Sequence, residues 1–529
     1  MALLPAWRLE IPLLLYLYCY FNAITRNSKW QPLVTAVPLV LLYGVFDVYH
    51  LQLGRLMRVT EVMELPEMLR ITPIGIKFFL GLLFGLPLLA FLRLLRFSRI
   101  PVMVLGVLPL FSLGLTAEFA PEFFMTAFEK IQKPIVTYSD IMSAGDNGRF
   151  CMTLYNEAKR KTFIKKIAHY KGNLFFLKEF DEVVAQLNSQ ETKNNVHLIM
   201  LESFFDPELL RGATFSRKPT HPSFEKIFKN KGSLSVSPVF GGGTAQAEFE
   251  ALCGVPAMRE LSGFEFDVFS GRKTLCLPNI LLKGGYHTVA TNAFVPDFFN
   301  SINAYEGMGF EKSYYPKEYA AGHETYLSIG DVKDEKYMFD GDLFKQNLAF
   351  IAQWKDSNPD VPLFNYVMTI YGHTPNLINT TKRPKIIDVK GAIKDEQLER
   401  AVNQYYYRTE SIADFLNEIQ TIDPQSLVIL VSDHIPPLVY GPNTYQKLKY
   451  LAGDKDFMHI NRIFFFENGR AVHYDTIHHY DIPYIILNYI TNGNYCRNHT
   501  CDFKTHPNPT KKRDYREAYM TIMAQAMNL

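Results

Sequence analysis

Apolar positions dominate the first 117 residues, and most charged residues there lie between long apolar runs. A helix needs roughly 20 apolar residues to cross a bilayer, and membrane helices tolerate the prolines that these runs contain. Each run therefore predicts a spanning helix, and four runs in succession disfavour buried core helices as the alternative. The runs are Leu9–Ile24, Leu33–Tyr49, Ile74–Leu92 and Pro101–Ala117.

From about Val196 the pattern changes to short apolar runs that alternate with turns and with helical periodicity, as over Glu396–Ile419. This alternation predicts an α/β domain with a mostly parallel central sheet. Ligands of such sheets collect beyond the carboxyl ends of the strands. The candidate strands are Val196–Leu201, His287–Ala290, Leu363–Thr369, Leu427–Val431 and Tyr484–Leu487.

These patterns predict three parts: a transmembrane domain over 1–117, a polar helical connector over 118–190 and a catalytic domain over 191–529. The connector is basic around 159–166, which is typical of a solvated helix face, with contact to anionic lipid head groups as the alternative. Residues 51–69 mix apolar and charged positions, which fits either a helix in the membrane interface or a solvated loop.

The charged residues exclude one class of partner and predict how the chain is oriented in the membrane. The net charge of +2 gives no basic surface for nucleic acid, so we exclude nucleic acid as a partner. The loop after the first run carries Arg26 and Lys29, and the loop after the third run carries three arginines. The positive-inside rule then predicts that both loops are cytoplasmic and that the chain from Glu118 onward lies outside the cytoplasm.

An extracytoplasmic location permits disulfides among the six cysteines. We predict the pairs Cys253–Cys276 and Cys496–Cys501, with Cys151 free. Zinc binding by these cysteines is disfavoured because the chain has no CxxC pair.

The candidate chemistry lies where apolar runs end. Glu202 closes the first candidate strand, and Asp433 with His434 closes the fourth. Carboxylate and imidazole are ligands for Zn²⁺ and Mn²⁺. Thr244 follows the glycine turn 241–243, and a nearby divalent cation would lower the pKa of its hydroxyl. The sequence therefore indicates a metal-activated nucleophile.

Each of these features also has a structural explanation. The turn fits a plain loop, and Glu202 fits a cap for a following helix. The glycines also allow unusual backbone angles, and Thr244 is expected to open a helix over Ala245–Leu252, whose first N–H groups would suit a phosphate.

Four stretches resemble the membrane-bound phosphoglycerol transferases of the alkaline phosphatase/sulfatase superfamily, a group that includes lipoteichoic acid synthase and the enzyme that decorates periplasmic glucans. The resemblance covers roughly 190–490. The stretches are HLIMLESFFDPELL at 197–210, SPVFGGGTAQAEFEALCGVPA at 237–257, NYVMTIYGHTPN at 365–376 and VILVSDHIPPL at 428–438.

The resemblance implies an alkaline phosphatase/sulfatase-like domain in which Glu202, Thr244, Asp433 and His434 bind one divalent metal, Mn²⁺ first and Zn²⁺ or Mg²⁺ as alternatives. Thr244 would be the catalytic nucleophile, and His373 would lie near the transferred phosphoryl group. The expected donor is a membrane phospholipid, phosphatidylglycerol, and the acceptor is a glycan or another envelope component. The expected location is the bacterial inner membrane, multi-pass, with the catalytic domain on the periplasmic or extracellular side.

The head-group region departs from the family pattern. Asn292, Phe299 and Ser301 stand where lipoteichoic acid synthases carry histidine, tryptophan and arginine, and Asn300 lies between the last two. We take these four residues, together with His373, as the candidate substrate-binding set. Loss of the arginine removes a bidentate phosphate partner. The resemblance therefore supports the metal centre more strongly than it supports the identity of the head group.

Other functions stay open at this stage. Phosphoethanolamine transfer would use the same chemistry, and a phosphodiesterase or sulfatase-type hydrolase would use the same fold. Sulfatases mature a Cys or Ser to formylglycine, which Thr244 disfavours. A non-catalytic lipid-binding membrane protein is disfavoured by the complete ligand set. Asp334 has no assigned role, and His478 and His479 fit either acceptor contact or structure.

Overall fold

The computed structural model describes residues 9–53, 56–59, 74–135, 140–229, 231–257, 265–296, 298–454, 457–504 and 514–527. The chain falls into two compact units, Met1–Lys166 and Ile167–Leu529. The three-part division stays a prediction.

The described part of the first unit is helical. Three segments, Gln31–Leu51, Ile74–Arg93 and Phe97–Phe119, are long and apolar enough to cross a membrane, and Glu10–Ile24 is a shorter apolar helix. This confirms the prediction of about four apolar helices; the predicted interfacial segment 51–69 lies largely outside the described residues. The helices are α1 Glu10–Ile24, α2 Gln31–Leu53, α3 Ile74–Arg93, α4 Ile100–Phe119, α5 Pro121–Ile131, α6 Asp140–Asn147 and α7 Arg149–Ala168.

The two purely basic loops meet. Thr25 forms an isolated antiparallel bridge with Leu95. Beside it the backbone N–H of Arg26 donates to the carbonyl of Leu94 at 2.7 Å, and that of Arg96 donates to Ile24 at 2.8 Å. Loops one and three therefore lie at the same end of the helices, as the predicted orientation requires; the orientation itself stays a prediction.

The second unit alternates strands and helices. Its helices are α8 Leu174–Asn188, α9 Pro222–Phe228, α10 Thr244–Cys253, α11 Leu277–Lys283, α12 Ser301–Met308, α13 Asp340–Ser357, α14 Glu396–Ile422, α15 Pro442–Lys447, α16 Ile482–Ile490, α17 Tyr495–Asn498 and α18 Tyr515–Ala526. Its strands are β1 Val196–Leu201, β2 Ala213–Phe215, β3 Ser233–Val236, β4 His287–Asn292, β5 Lys312–Tyr314, β6 Leu363–Met368, β7 Val389–Gly391, β8 Leu427–Ser432, β9 Ile460–Glu467, β10 Arg470–Val472 and β11 Ile477–His478.

A nine-stranded sheet of described strands organises the unit, in the order β11-β3-β9-β8-β1-β6-β4-β5 with β10 beside β9. The pairs β8–β1, β1–β6, β6–β4 and β4–β5 are parallel, whereas β9 runs antiparallel to its neighbours. All residues of β1, β6 and β8 are buried, which explains why apolar residues dominate these strands, with a single polar residue in each. The mostly parallel α/β sheet predicted from sequence is confirmed.

One strand prediction is wrong. Tyr484–Leu487 lies inside helix α16, a nine-residue element with Pro483 in its first turn. Proline suits the start of a helix, because the first N–H groups have no helical partner. Six of the helix's residues besides the proline are buried, so apolar residues occupy most positions and the helical periodicity is hidden.

Both predicted disulfides form, Cys253–Cys276 and Cys496–Cys501. The first joins the end of α10 to the residue before α11. Cys151 is free, as predicted, and buried.

Candidate metal centre

Strand register brings the two acidic residues together. β1 and β8 are adjacent and parallel, with Leu201 opposite Ser432. Glu202 and Asp433 are the next residues of the two strands, so both leave the sheet at the same edge. Sequence order alone separates them by more than two hundred residues, and the parallel pairing removes that separation.

The glycine turn delivers Thr244 to this edge. Gly241, Gly242 and Gly243 have φ angles of 68°, 150° and 90°, which side chains rarely tolerate. The N–H of Gly241 donates to the carbonyl of Ile435 at 3.1 Å, which fixes the turn against the loop after β8. Helix α10 then begins at Thr244, the helix start predicted from sequence within one residue.

Four side chains converge here. Thr244 Oγ1 lies 2.8 Å from Asp433 Oδ2 and 3.5 Å from Glu202 Oε2. One ligand atom from each of Glu202, Asp433 and His434 lies within 4.8 Å of the other two, and all three residues are buried. Thr244 is half-buried, so its hydroxyl borders solvent.

Neighbouring groups orient the ligands. Asp433 Oδ1 accepts from the N–H groups of Ser203 at 2.7 Å and His434 at 2.6 Å, which turns Oδ2 toward Thr244. Ser203 Oγ donates to Glu202 Oε1 at 2.7 Å and leaves Oε2 on the Thr244 side. His434 Nδ1 lies 3.1 Å from the carbonyl of Ile435, so we assign the proton to Nδ1 and the lone pair to Nε2.

Electrostatics favours a cation at this position. Burial and, next in size, the charge of the adjacent Asp433 raise the pKa of Glu202 to about 8, against the lowering effect of His434. Two buried carboxylates this close repel each other unless a proton or a cation intervenes. The donor set of two carboxylates, an imidazole and a hydroxyl fits Mn²⁺ or Zn²⁺.

His373 lies on the loop after β6, the strand parallel to β1 on its other side. Its ring Nδ1 is 2.9 Å from the carbonyl of Thr374, and its ring packs against Tyr337 with centroids 5.4 Å apart. The preceding Gly372 touches the backbone of Glu202: a Cβ built there would lie 2.0 Å from the Glu202 carbonyl oxygen. The His373 loop therefore packs directly on the candidate metal centre.

The candidate head-group residues occupy the same edge farther along the sheet. Asn292 ends β4 and donates from Nδ2 to the Tyr305 hydroxyl at 3.0 Å. Phe299 and Asn300 have φ angles of 53° and 55°, and the Asn300 amide donates to two backbone carbonyls. Ser301 is buried and donates to the carbonyl of Pro296 at 2.7 Å. The last two thus anchor their own loop, and the substrate-binding role of the set stays a prediction.

The sequence analysis missed Glu248, one helical turn beyond Thr244. Its buried carboxylate accepts from the hydroxyls of Tyr305 at 2.6 Å and Tyr366 at 2.8 Å, which fixes α10 against β6 and α12. Burial raises the pKa of Glu248 to about 7, although both tyrosines lower it. The Glu-Phe-Glu segment after Thr244 was the available signal, but it does not say which glutamate faces the sheet.

The structure also places the three residues whose role the sequence left open. Asp334 is exposed and pairs with Lys382 at 2.7 Å. His478 is exposed and stacks on Tyr480, whereas His479 is buried and burial lowers its pKa to about 3. A neutral, buried His479 fits the structural alternative better than acceptor contact.

Comparisons with known proteins place the second unit. The sequence profile of the sulfatase family matches residues 194–490. A Rhizobium meliloti (strain 1021) protein named "putative cyclic beta-1,2-glucan modification protein" is 26% identical over 263 residues, 48% of this chain. The chain spans 38% of that relative's length.

Two solved structures are similar to this chain. Phosphoglycerol transferase GacH from Streptococcus pyogenes, in complex with sn-glycerol-1-phosphate, is 18% identical, with a TM-score of 0.48 over 69% of this chain and 92% of its own. Lipoteichoic acid synthase LtaP from Listeria monocytogenes is 18% identical, with a TM-score of 0.44 over 59% and 78%.

Proposed function

We propose that this chain, which belongs to the sulfatase family, is a metal-dependent transferase that moves phosphoglycerol from a membrane phospholipid to a glycan. The observation that carries the proposal is the Thr244 hydroxyl 2.8 Å from Asp433, inside the ligand set of Glu202, Asp433 and His434. A threonine favours transfer over the sulfatase reaction, because its Cβ carries a methyl group and oxidation would give a ketone rather than the formyl group.

The chemistry runs in two displacements. Thr244 Oγ1 attacks the phosphorus of the donor's phosphodiester, and its proton moves toward Asp433 Oδ2, the hydrogen-bond acceptor. The bond from phosphorus to the diacylglycerol oxygen breaks, and that oxygen takes up a proton as diacylglycerol leaves. An acceptor hydroxyl then attacks the phosphorus of the threonine ester, and the bond from phosphorus to Thr244 Oγ1 breaks. The acceptor's proton passes to Oγ1, which regenerates the Thr244 hydroxyl.

The surrounding groups would stabilise charge during both steps. A divalent cation held by Glu202, Asp433 and His434 would supply Lewis-acid chemistry that lowers the pKa of the Thr244 hydroxyl. His373, on the loop packed against Glu202, would donate to a phosphoryl oxygen as negative charge develops there.

The apolar helices support the proposed donor, and a named relative supports the proposed acceptor. The three apolar segments of the first unit fit an enzyme whose donor stays in the bilayer, in the inner membrane of a bacterium. The name of the Rhizobium relative, a glucan modification protein, supports a glycan as the acceptor.

The test is transfer from head-group-labelled phosphatidylglycerol in vesicles to a periplasmic glucan. Thr244→Ala should reduce transfer by about three orders of magnitude or more, since loss of a nucleophile removes the covalent route. Thr214→Ala, at an exposed position of strand β2, is the matched control and should keep full transfer. Full transfer by a folded Thr244→Ala protein would refute the mechanism.

A further inference from the structure

We propose that the buried ion pair between Arg408 and Asp340 is a positioning device that holds Glu202 ready for the metal. The inference rests on the proposed function, because it treats Glu202 as a metal ligand. Both members lie outside the candidate metal centre: Asp340 is the first residue of α13, and Arg408 lies in the middle of α14.

The pair is completely enclosed. Arg408 Nε donates to Asp340 Oδ2 at 2.6 Å, and the two side chains are 2% and 0% exposed. The guanidinium also lies over the ring of Phe204, 5.0 Å from its centroid. Removing two charges from water is costly, and an apolar pair of similar volume commonly holds two helices equally well. Helix packing alone therefore does not account for an ion pair at this place.

Two further donor atoms of Arg408 reach Glu202, one directly and one through Thr369. Nη1 donates to the backbone carbonyl of Glu202 at 2.9 Å, and Nη2 lies 3.4 Å from Thr369 Oγ1. The same Thr369 oxygen accepts from the Glu202 N–H at 3.0 Å. Side chains thus bind both backbone groups of Glu202, just where β1 ends and the regular ladder stops fixing the chain. A rigid backbone there aims the Glu202 carboxylate at Thr244 and Asp433.

Gly372 gives independent support. A Cβ at this position would lie 2.0 Å from the Glu202 oxygen and 2.4 Å from Arg408 Nη1. The glycine therefore leaves the space that the Arg408–Glu202 hydrogen bond occupies. Because His373 follows directly, the same contact joins the metal ligand, the ion pair and the predicted phosphoryl-binding loop.

Arg408→Lys tests positioning separately from charge. Lysine keeps the positive charge but is a point donor that cannot serve Asp340, Glu202 and Thr369 with one planar fork. We expect the dissociation constant for Mn²⁺, measured on the full-length protein in detergent by electron paramagnetic resonance of free Mn²⁺, to rise about tenfold or more. Gly372→Ala should raise it in the same direction and serves if Arg408→Lys does not fold.

Asp423→Asn is the matched control. Asp423 is buried and pairs with His197 at 3.0 Å and Lys355 at 2.6 Å near the start of β1, the end of that strand remote from Glu202. This variant should lose thermal stability in chelator while keeping the wild-type constant for Mn²⁺.

The outcomes separate the two claims. A raised constant in Arg408→Lys and Gly372→Ala, with an unchanged constant in Asp423→Asn, supports the inference. An unchanged constant in either folded test variant, or an equal rise in the control, overturns it while leaving the proposed function intact. A wild-type protein that binds no stoichiometric Mn²⁺ in this titration, and holds no Zn²⁺ by elemental analysis after incubation with Zn²⁺, overturns both.

Discussion

At the scale of the residue, Asp433 has the most constrained position in the candidate metal centre. One carboxylate oxygen accepts two backbone N–H groups, and the other accepts from Thr244. In Asp433→Asn the amide oxygen can keep the two N–H bonds, which turns the amide nitrogen toward the metal position. An amide N–H₂ is a donor and does not ligate a cation.

We therefore expect Asp433→Asn to fold but to lose its divalent ion, with affinity reduced by two orders of magnitude or more. Elemental analysis of the purified variant against wild type checks this, with circular dichroism as the control for folding. An Asp433→Asn protein with a full equivalent of metal would show that the ligand assignment is wrong.

The residues of the centre differ in how far sequence could predict them. Glu202, Asp433 and His434 each follow an apolar run, and Thr244 follows three glycines, so local pattern indicated all four. Arg408 gave no such signal: it lies inside a long helix after Gln404 and three tyrosines, and its partner Glu202 is 206 residues away. Its significance comes from tertiary contact that no local pattern records.

At the scale of the element, helix α10 depends on Glu248 for its attachment to the sheet. An acid whose folded pKa of about 7 exceeds its ordinary value of 4.5 binds more protons in the folded state between these values. Its contribution to stability is complete below about pH 4.5 and is lost as the pH rises through 7.

Both tyrosines donate to the same oxygen, Oε2, so the amide oxygen of Glu248→Gln can accept both hydrogen bonds, while the side chain cannot ionise. The melting temperature of wild type minus that of Glu248→Gln should therefore fall between pH 5 and pH 8. Thermal melts of both proteins in detergent with chelator measure the difference. A difference that grows with pH would mean that Glu248 is stabilised as a carboxylate.

Strands that are buried on both faces were predictable because their sequences are mostly apolar, as β1, β6 and β8 show. The same signal misplaced Tyr484–Leu487, because a short, mostly buried helix is equally apolar. The antiparallel strands β9 and β10 and the short parallel strand β11 were not predicted. Among them β9 alternates between buried and half-buried positions only at its start, so neither strand pattern is complete.

At the scale of the whole molecule, a set of apolar helices precedes an α/β unit of the sulfatase family in one chain. The membrane helices were predictable because length and composition alone define them, and the two disulfides because cysteines are few. The head group of the proposed donor was not predictable, since Asn292 and Ser301 stand where the resemblance implies histidine and arginine, and Ser301 is buried. Chemistry at Thr244 is thus the central claim, and the identity of the group depends on it.

The most direct test is the mass of the Thr244 peptide after the full-length protein has been incubated with Mn²⁺ and vesicles of phosphatidylglycerol, without acceptor. The account predicts a phosphoglycerol adduct on Thr244, absent from Asp433→Asn and absent when chelator replaces Mn²⁺. A phosphoethanolamine adduct formed only with phosphatidylethanolamine vesicles would keep the nucleophile and change the donor. An unmodified Thr244 in an enzyme that nevertheless transfers the head group would contradict the account.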